Sequence, residues 1–217
     1  MCEAAIIKPI AWQLGVAGHT ESQNMSRLEE ILSFWFAELR DDQAYYQERR
    51  QLWFTHNSQF DQEIRDRFTR DYQAAAERQL MGWKEMPWAG LALVILLDQF
   101  PRNMFRDDPR AFATDSLARE VATSLMQRGD DQLLLPVERM FVYLPFMHSE
   151  DLTHQQQSIV LFQQLAQQRD YLDSVAYAIR HKEIIERFGR FPHRNAILGR
   201  LSTPEEVEFL QRPGSLF

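Results

Sequence analysis

The stretch from Met86 to Leu97 reads MPWAGLALVILL and is the longest uncharged apolar run in the chain. A helix that is apolar on every side lies in a protein core, and this run is too short to span a bilayer. Pro87 suits the first turn of a helix, where no backbone N–H is needed. Pro101 would clash with the carbonyl of Leu97 and must kink or stop the helix. We therefore predict a central buried helix over residues 88–100.

Amphipathic patterns on both sides of this run predict further helices. Apolar residues recur there at three- and four-residue steps, and a capping box formed by Ser26 and Glu29 predicts the start of the first helix. The other predicted helices cover about 60–82, 117–128, 136–147, 151–169, 171–188 and 203–211. No strand pattern competes, so the predicted fold is all-α, with about eight helices packed as antiparallel hairpins in layers. We expect a single domain over residues 25–217 and a loose N-terminal extension over residues 1–24.

The charge balance limits the possible partners. The 217 residues include 24 basic and 31 acidic side chains, a net charge of −7. An acidic protein repels phosphate backbones and anionic lipid surfaces, so neither a nucleic-acid nor a membrane partner is expected. The single cysteine, Cys2, cannot form an internal disulfide, which favours a cytoplasmic location. We predict no cofactor and no metal, and the oligomeric state stays open.

Two similar motifs follow predicted helices. One is Gln99-Phe100-Pro101-Arg102-Asn103 and the other is Arg190-Phe191-Pro192-His193-Arg194-Asn195. Each presents an arginine and an asparagine after a proline, and guanidinium and amide groups held in this way suit a carboxylate or phosphate. The same side chains could instead bind the last carbonyls of the helices, without any ligand. The candidate ligand-binding residues from these motifs are Arg102, Asn103, Arg190, His193, Arg194 and Asn195.

The second motif lies in a locally basic segment. Between residues 180 and 200 there are six lysines and arginines and only two glutamates. Such a patch can attract an anionic ligand or an acidic partner segment. The alternative is that these cations pair with acidic residues of other helices.

Glu138 and Arg139 are the only charges between residues 133 and 147. Buried charges are costly unless they are paired, so both become candidate site residues. We expect Arg102 or Arg190 to pair with Glu138, and Asp98 to pair with Arg139. Such a network could also serve only to fix the helix register.

Three histidines complete the candidate set: His148, His181 and His193. If they converged beside a carboxylate, they could bind zinc or act as a general base. Their spacings match no compact metal signature, and the alternative is that each histidine is satisfied within the core or a turn.

These motifs resemble the bacterial DUF924 family over about residues 26–210. The similar segments are 97–103, 138–139, 144–145, 147–151, 188–195, 198–200 and 202–206. The resemblance implies an all-helical, tetratricopeptide-repeat-like fold, and it brings no substrate, cofactor or catalytic residue.

Three functional hypotheses follow. The first is a soluble binding module whose groove, rimmed by Arg102, Arg190, His193 and Arg194, takes a small anionic molecule or an acidic protein segment. The second is an enzyme, such as a hydrolase acting on a small anionic metabolite, with Glu138 or His181 as base. The third is a purely structural polar network. The enzyme hypothesis requires Glu138, His148, His181, Arg102 and Arg194 to reach one cavity.

Overall fold

The chain divides into two compact units, residues 1–60 and 61–217. A computed structural model describes residues 19–169 and 174–215, and within these ranges it contains helices and no strand. The predicted all-α fold class is confirmed. None of the helices in these ranges combines the length and the apolar character that crossing a membrane requires.

The first unit contains α1 (His19–Phe36) and α2 (Gln43–Phe54). The predicted helix start at Ser26 is wrong, because α1 begins at His19 and Ser26 lies inside it. Residues 1–18 of the predicted extension lie outside the described residues. The helix α2 was not predicted, because five consecutive polar residues, 47–51, separate its apolar ends.

Two aromatic side chains of α2 complete the C-terminal end of α1. The Tyr45 hydroxyl donates to the carbonyl of Phe36 at 2.7 Å, and Trp53 Nε1 donates to the carbonyl of Trp35 at 2.9 Å. The last carbonyls of a helix have no partner within it, so these bonds satisfy groups that would otherwise be buried without one. The rings of Trp35 and Trp53 also stack, with centroids 6.2 Å apart.

The second unit carries the remaining helices. They are α3 (Ser58–Ala76, which begins in the first unit), α4 (Pro87–Val94), α5 (Phe100–Met104), α6 (Asp115–Arg128), α7 (Pro136–Met147), α8 (Leu152–Gln168), α9 (Ser174–Phe188) and α10 (Pro204–Leu210). The central position of the apolar run is confirmed, since residues 91–97 are fully buried and α4 packs against α6 and α7. The helices α7, α8 and α9 then pack in succession. The predicted start of α9 at residue 171 lies outside the described residues.

The helix continues past Pro101 and does not stop there. A π-helical turn over Ile95–Gln99 joins α4 to α5, with the Phe100 N–H bonded to the carbonyl of Ile95. The carbonyl of Leu97, which cannot bond to Pro101, accepts the hydroxyl of Thr114 at 2.6 Å. A π-turn together with a side-chain donor thus accommodates the proline inside the helix.

Replacing Thr114 by Val should destabilise the protein by about 1–3 kcal/mol, because it leaves the buried Leu97 carbonyl without a donor. Urea unfolding measures the difference. Thr69→Val is the matched control, since the Thr69 hydroxyl bonds only a carbonyl of its own helix. Equal stabilities of the two variants would show that the Thr114 bond does not support the π-turn.

Candidate functional site

A cleft of about 300 Å³ lies in the second unit. It forms where the start of α6, the C-terminal end of α7 and the segment after α9 meet. Its lining includes Phe112, Asp115, Arg119, His148, Glu150 and Arg194.

Arg194 is the most deeply buried cation of the cleft. Its guanidinium lies between the rings of Phe112 and Phe191, 4.6 Å from each centroid. Nη2 donates to the backbone carbonyl of His148 at 2.9 Å, whereas Nη1 lies 3.6 Å from Asp115 Oδ2, too far for a hydrogen bond. The buried Nε has no hydrogen-bond partner among the described residues. Burial and the nearby Arg102 lower the pKa of Arg194 to about 10, so the side chain keeps its charge at neutral pH.

Arg102 lies between two carboxylates. It bonds Asp115 through both terminal nitrogens, at 2.9 and 3.1 Å, and its Nη1 is 3.3 Å from Asp98 Oδ1. The two proline motifs therefore meet in space, since arginines from both approach Asp115. Arg102 is already occupied by protein partners, and Arg194 is much less so.

His148 caps the C-terminal end of α7 and is paired with Asp98. Its Nδ1 is 2.8 Å from Asp98 Oδ1, and Asp98 is fully buried. Burial alone would raise the pKa of Asp98, but the charges of Arg102 and His148 lower it well below its usual range. The pKa of His148 is lowered by burial and by Arg102, against the opposite effect of Asp98. At neutral pH the carboxylate is ionised and the imidazole is neutral.

The protonation states fix the tautomer of His148. An ionised carboxylate only accepts hydrogen bonds, so Nδ1 must carry the proton and Nε2 keeps its lone pair. No described residue bonds Nε2, and His148 lines the cleft. His148, a lining residue of the cleft, thus keeps one proton-accepting nitrogen that has no partner among the described residues.

Glu150 holds the segment after α9 in place. It accepts two bonds from Arg200, at 2.7 and 3.0 Å, and the backbone N–H of Phe191 at 2.8 Å. Arg200 in turn donates to Asn195 Oδ1 at 3.0 Å. These bonds position the backbone on either side of Arg194.

Arg190 and Asn195 serve the start of α10 and not the cleft. The buried carboxylate of Glu206 accepts from Arg190 at 2.7 and 2.8 Å, from Asn195 at 3.2 Å and from the N–H of Thr203 at 2.7 Å. The basic segment is paired in the same way elsewhere, with Arg187 bound to Glu205. Its cations pair largely with acidic residues, as the alternative interpretation of the patch held.

The pairings predicted for Glu138 and Arg139 are wrong. Glu138 accepts the N–H of Leu135 at the start of its own helix. Arg139 bonds the side chain of Gln132 and the carbonyl of Leu134. Their expected partners are engaged elsewhere, since Arg102 and Arg190 bind Asp115 and Glu206, and Asp98 is held by Arg102 and His148.

Three more candidates lie outside the cleft lining. Asn103 donates to Asp61 at 2.8 Å. His181 Nδ1 is 2.7 Å from the carbonyl of Tyr177 and its ring meets Phe191 edge-on. The ring of His193 also packs against Phe191, with the two ring centroids 5.6 Å apart. No group of three metal-ligating side chains occurs within residues 19–169 and 174–215. Of the five residues that the enzyme hypothesis requires in one cavity, His148 and Arg194 line the cleft, whereas Arg102, Glu138 and His181 do not. An enzyme that uses Glu138 or His181 as base in this cleft is therefore not supported.

Arg119 was not among the residues predicted for the site. It lines the cleft and has no ion-pair or hydrogen-bond partner among the residues described. Asp115 and Arg119 are four residues apart in α6, a spacing that puts both on one helix face. That spacing was the available signal, but it is equally typical of a solvated surface.

Comparisons with known proteins identify relatives of the chain. The model of DUF924, described as a bacterial protein of unknown function, matches residues 31–214. A solved protein of unknown function, ATU0120 from Agrobacterium tumefaciens, is 41% identical and superposes with a TM-score of 0.76. That match covers 87% of this chain and 98% of the other. No curated protein matches.

Glu206 should make stability depend on pH. Its bonds to Arg190 outweigh burial and lower its pKa from 4.5 to about 2, so its stabilising effect is complete above about pH 4.5 and is lost as the pH falls towards 2. Glu206→Gln should cost about 1.5–3 kcal/mol near neutral pH and progressively less between about pH 4.5 and 2.

Urea unfolding across this pH range measures the effect. Glu205→Gln is the control, because Glu205 forms only an exposed pair with Arg187 and should change stability little at any pH. A cost for Glu206→Gln that does not vary with pH would contradict the assignment.

Proposed function

The chain belongs to the bacterial DUF924 family, whose function is unknown, and on that premise we propose that it binds a small anionic molecule, a carboxylate or a phosphate, in the cleft. One observation carries the proposal. The buried guanidinium of Arg194 has five N–H groups, but within residues 19–169 and 174–215 it makes a single hydrogen bond, to the carbonyl of His148.

An unmet donor is costly in a buried site. Each buried polar group without a partner costs about 1–3 kcal/mol, and hydrogen bonds to charged groups are the strongest that a protein makes. The rings of Phe112 and Phe191 hold the Arg194 guanidinium in one plane, so little conformational freedom is left to lose on binding. An anion that accepts hydrogen bonds from Arg194 and Arg119 would provide partners for the donors of both side chains.

The charge around the cleft also favours an anion. Four arginines, at positions 102, 119, 194 and 200, face three carboxylates, at positions 98, 115 and 150. The carboxylates of Asp115 and Glu150 are directed to Arg102 and Arg200 by two hydrogen bonds each. The positive charge that remains lies with Arg119 and Arg194, inside the cleft.

The size of the cleft favours a small molecule over an acidic protein segment. Ligand pockets range from about 300 to 1,000 Å³, and this cleft lies at the lower limit. We also propose a cytoplasmic binding module built on tetratricopeptide-repeat-like layers. The single cysteine and the successive packing of α7, α8 and α9 support these two points.

Arg119→Gln should weaken the binding of succinate or inorganic phosphate about tenfold or more, because it removes one charged donor while leaving the packed core unchanged. Isothermal titration calorimetry with each anion measures the effect and separates carboxylate from phosphate. Added salt should weaken binding by the parent protein as well.

Arg70→Gln is the matched control, since Arg70 is exposed on α3 and does not line the cleft. It should bind both anions like the parent. Failure of the parent to bind either anion, or unchanged binding by Arg119→Gln, would contradict the proposal.

A further inference from the structure

His148, which lines the cleft, forms a dyad with Asp98. Asp98 is fully buried and holds Nδ1 of the imidazole at 2.8 Å, while its second oxygen accepts from the side chain of Gln99. The opposite nitrogen, Nε2, is the proton acceptor identified above. A carboxylate that orients an imidazole, with the other ring nitrogen directed at a substrate site, is the arrangement of a general base.

The groups around the imidazole keep it neutral. Arg102 on α5 and Arg194 after α9 face it with positive charge, and Asp98 and Asp115 face it with negative charge. His181 on α9 is also within electrostatic range. Burial, followed by the charge of Arg102, lowers the pKa of His148, so the lone pair of Nε2 is available at neutral pH.

The dyad is coupled to the anion-binding groups by a direct bond. Arg194 Nη2 donates to the backbone carbonyl of His148 itself, so the positions of the base and of the buried cation are fixed relative to each other. The cleft is open to solvent, and water can therefore enter as the second reactant. A base, a cationic anchor and water in one cleft suit hydrolysis of an ester that carries a carboxylate.

We propose that His148 is the general base for hydrolysis of a small carboxylate-bearing ester held in this cleft. The inference rests on the proposed anion binding. Nε2 takes a proton from water as the water oxygen bonds to the ester carbonyl carbon. The tetrahedral intermediate then expels the alcohol by breaking its carbon–oxygen bond, and the alcohol oxygen takes the proton back from Nε2. Ester and water become acid and alcohol, with no other reactant.

The test uses mono-4-nitrophenyl succinate as substrate and neutral 4-nitrophenyl acetate for comparison. The parent protein should hydrolyse the anionic ester with the higher kcat/KM. His148→Asn keeps a donor near the position of Nδ1 and removes Nε2, so kcat should fall about 100-fold or more, while succinate binding stays unchanged. His56→Asn, at an exposed histidine of the first unit, should be as active as the parent.

Two further measurements test the role of His148 even if His148→Asn does not fold. Imidazole in solution should restore activity to His148→Ala. The kcat/KM of the parent protein should rise with pH through one ionisation with a midpoint below 6.5, since the base must be neutral. A flat profile, or a His148→Asn protein as active as the parent, would overturn the inference.

The failures of the two proposals are distinguishable. A parent protein that binds succinate but hydrolyses neither ester overturns the role of His148 and leaves anion binding in place. A parent protein that hydrolyses both esters equally, and does not bind succinate, overturns both the anionic substrate class and the proposed function.

Discussion

The carboxylate of Asp115 joins two arginines that are 92 residues apart in the chain, Arg102 and Arg194. Two like charges in a partly buried site repel each other, and Arg102 contributes to the lowered pKa of Arg194. Asp115 and Asp98 offset this repulsion. Asp115 bonds Arg102 through both oxygens and only approaches Arg194, so the two cations differ in how much binding capacity they keep.

The place of Asp115 follows from Pro101. A proline within a helix deprives the carbonyl one turn earlier of its donor, and here the Thr114 hydroxyl bonds that carbonyl of Leu97. Thr114 immediately precedes α6, so the same bond fixes where α6 begins and where Asp115 lies. A local rule about proline thus sets the position of a charge that two distant segments share.

The sequence predicted what is buried better than it predicted what is paired. The three- and four-residue periodicity that predicted the helices also marks their buried faces, as at Ile31, Trp35, Ile64 and Phe68, which are all fully buried, because burial depends on the helix face on which a residue lies. The partner of Arg139 depends on the packing of whole helices, and its acceptors turned out to include neutral oxygens of Gln132 and Leu134, seven and five residues earlier in the chain. The predicted N-terminal cap was wrong for a different reason: a capping-box pattern such as Ser26–Glu29 also occurs inside a longer helix.

The two proline motifs illustrate both outcomes. Their arginines meet at Asp115, as the predicted common groove required. The side chains of Asn103 and Asn195 instead donate to buried carboxylates of the fold. Arg119 was not predicted as a site residue, because an arginine one turn after an aspartate is also typical of an exposed ion pair on a helix surface. Only the packing of α6 against the segment after α9 makes it part of a cleft.

A purely structural network explains some of the polar residues around the cleft but not all of them. Glu150 accepts two hydrogen bonds from Arg200 and Glu206 accepts two from Arg190, and satisfied polar networks rigidify a fold. Arg194, Arg119 and Nε2 of His148 lie beside this network and keep donors or a lone pair that no residue of the described part of the chain satisfies. If stability alone had shaped the region, an apolar residue at position 194 would fill the space between Phe112 and Phe191 without the cost of burying a charge. A buried cation with unused donors, held rigidly at an open cleft, is what a binding site requires and a scaffold does not.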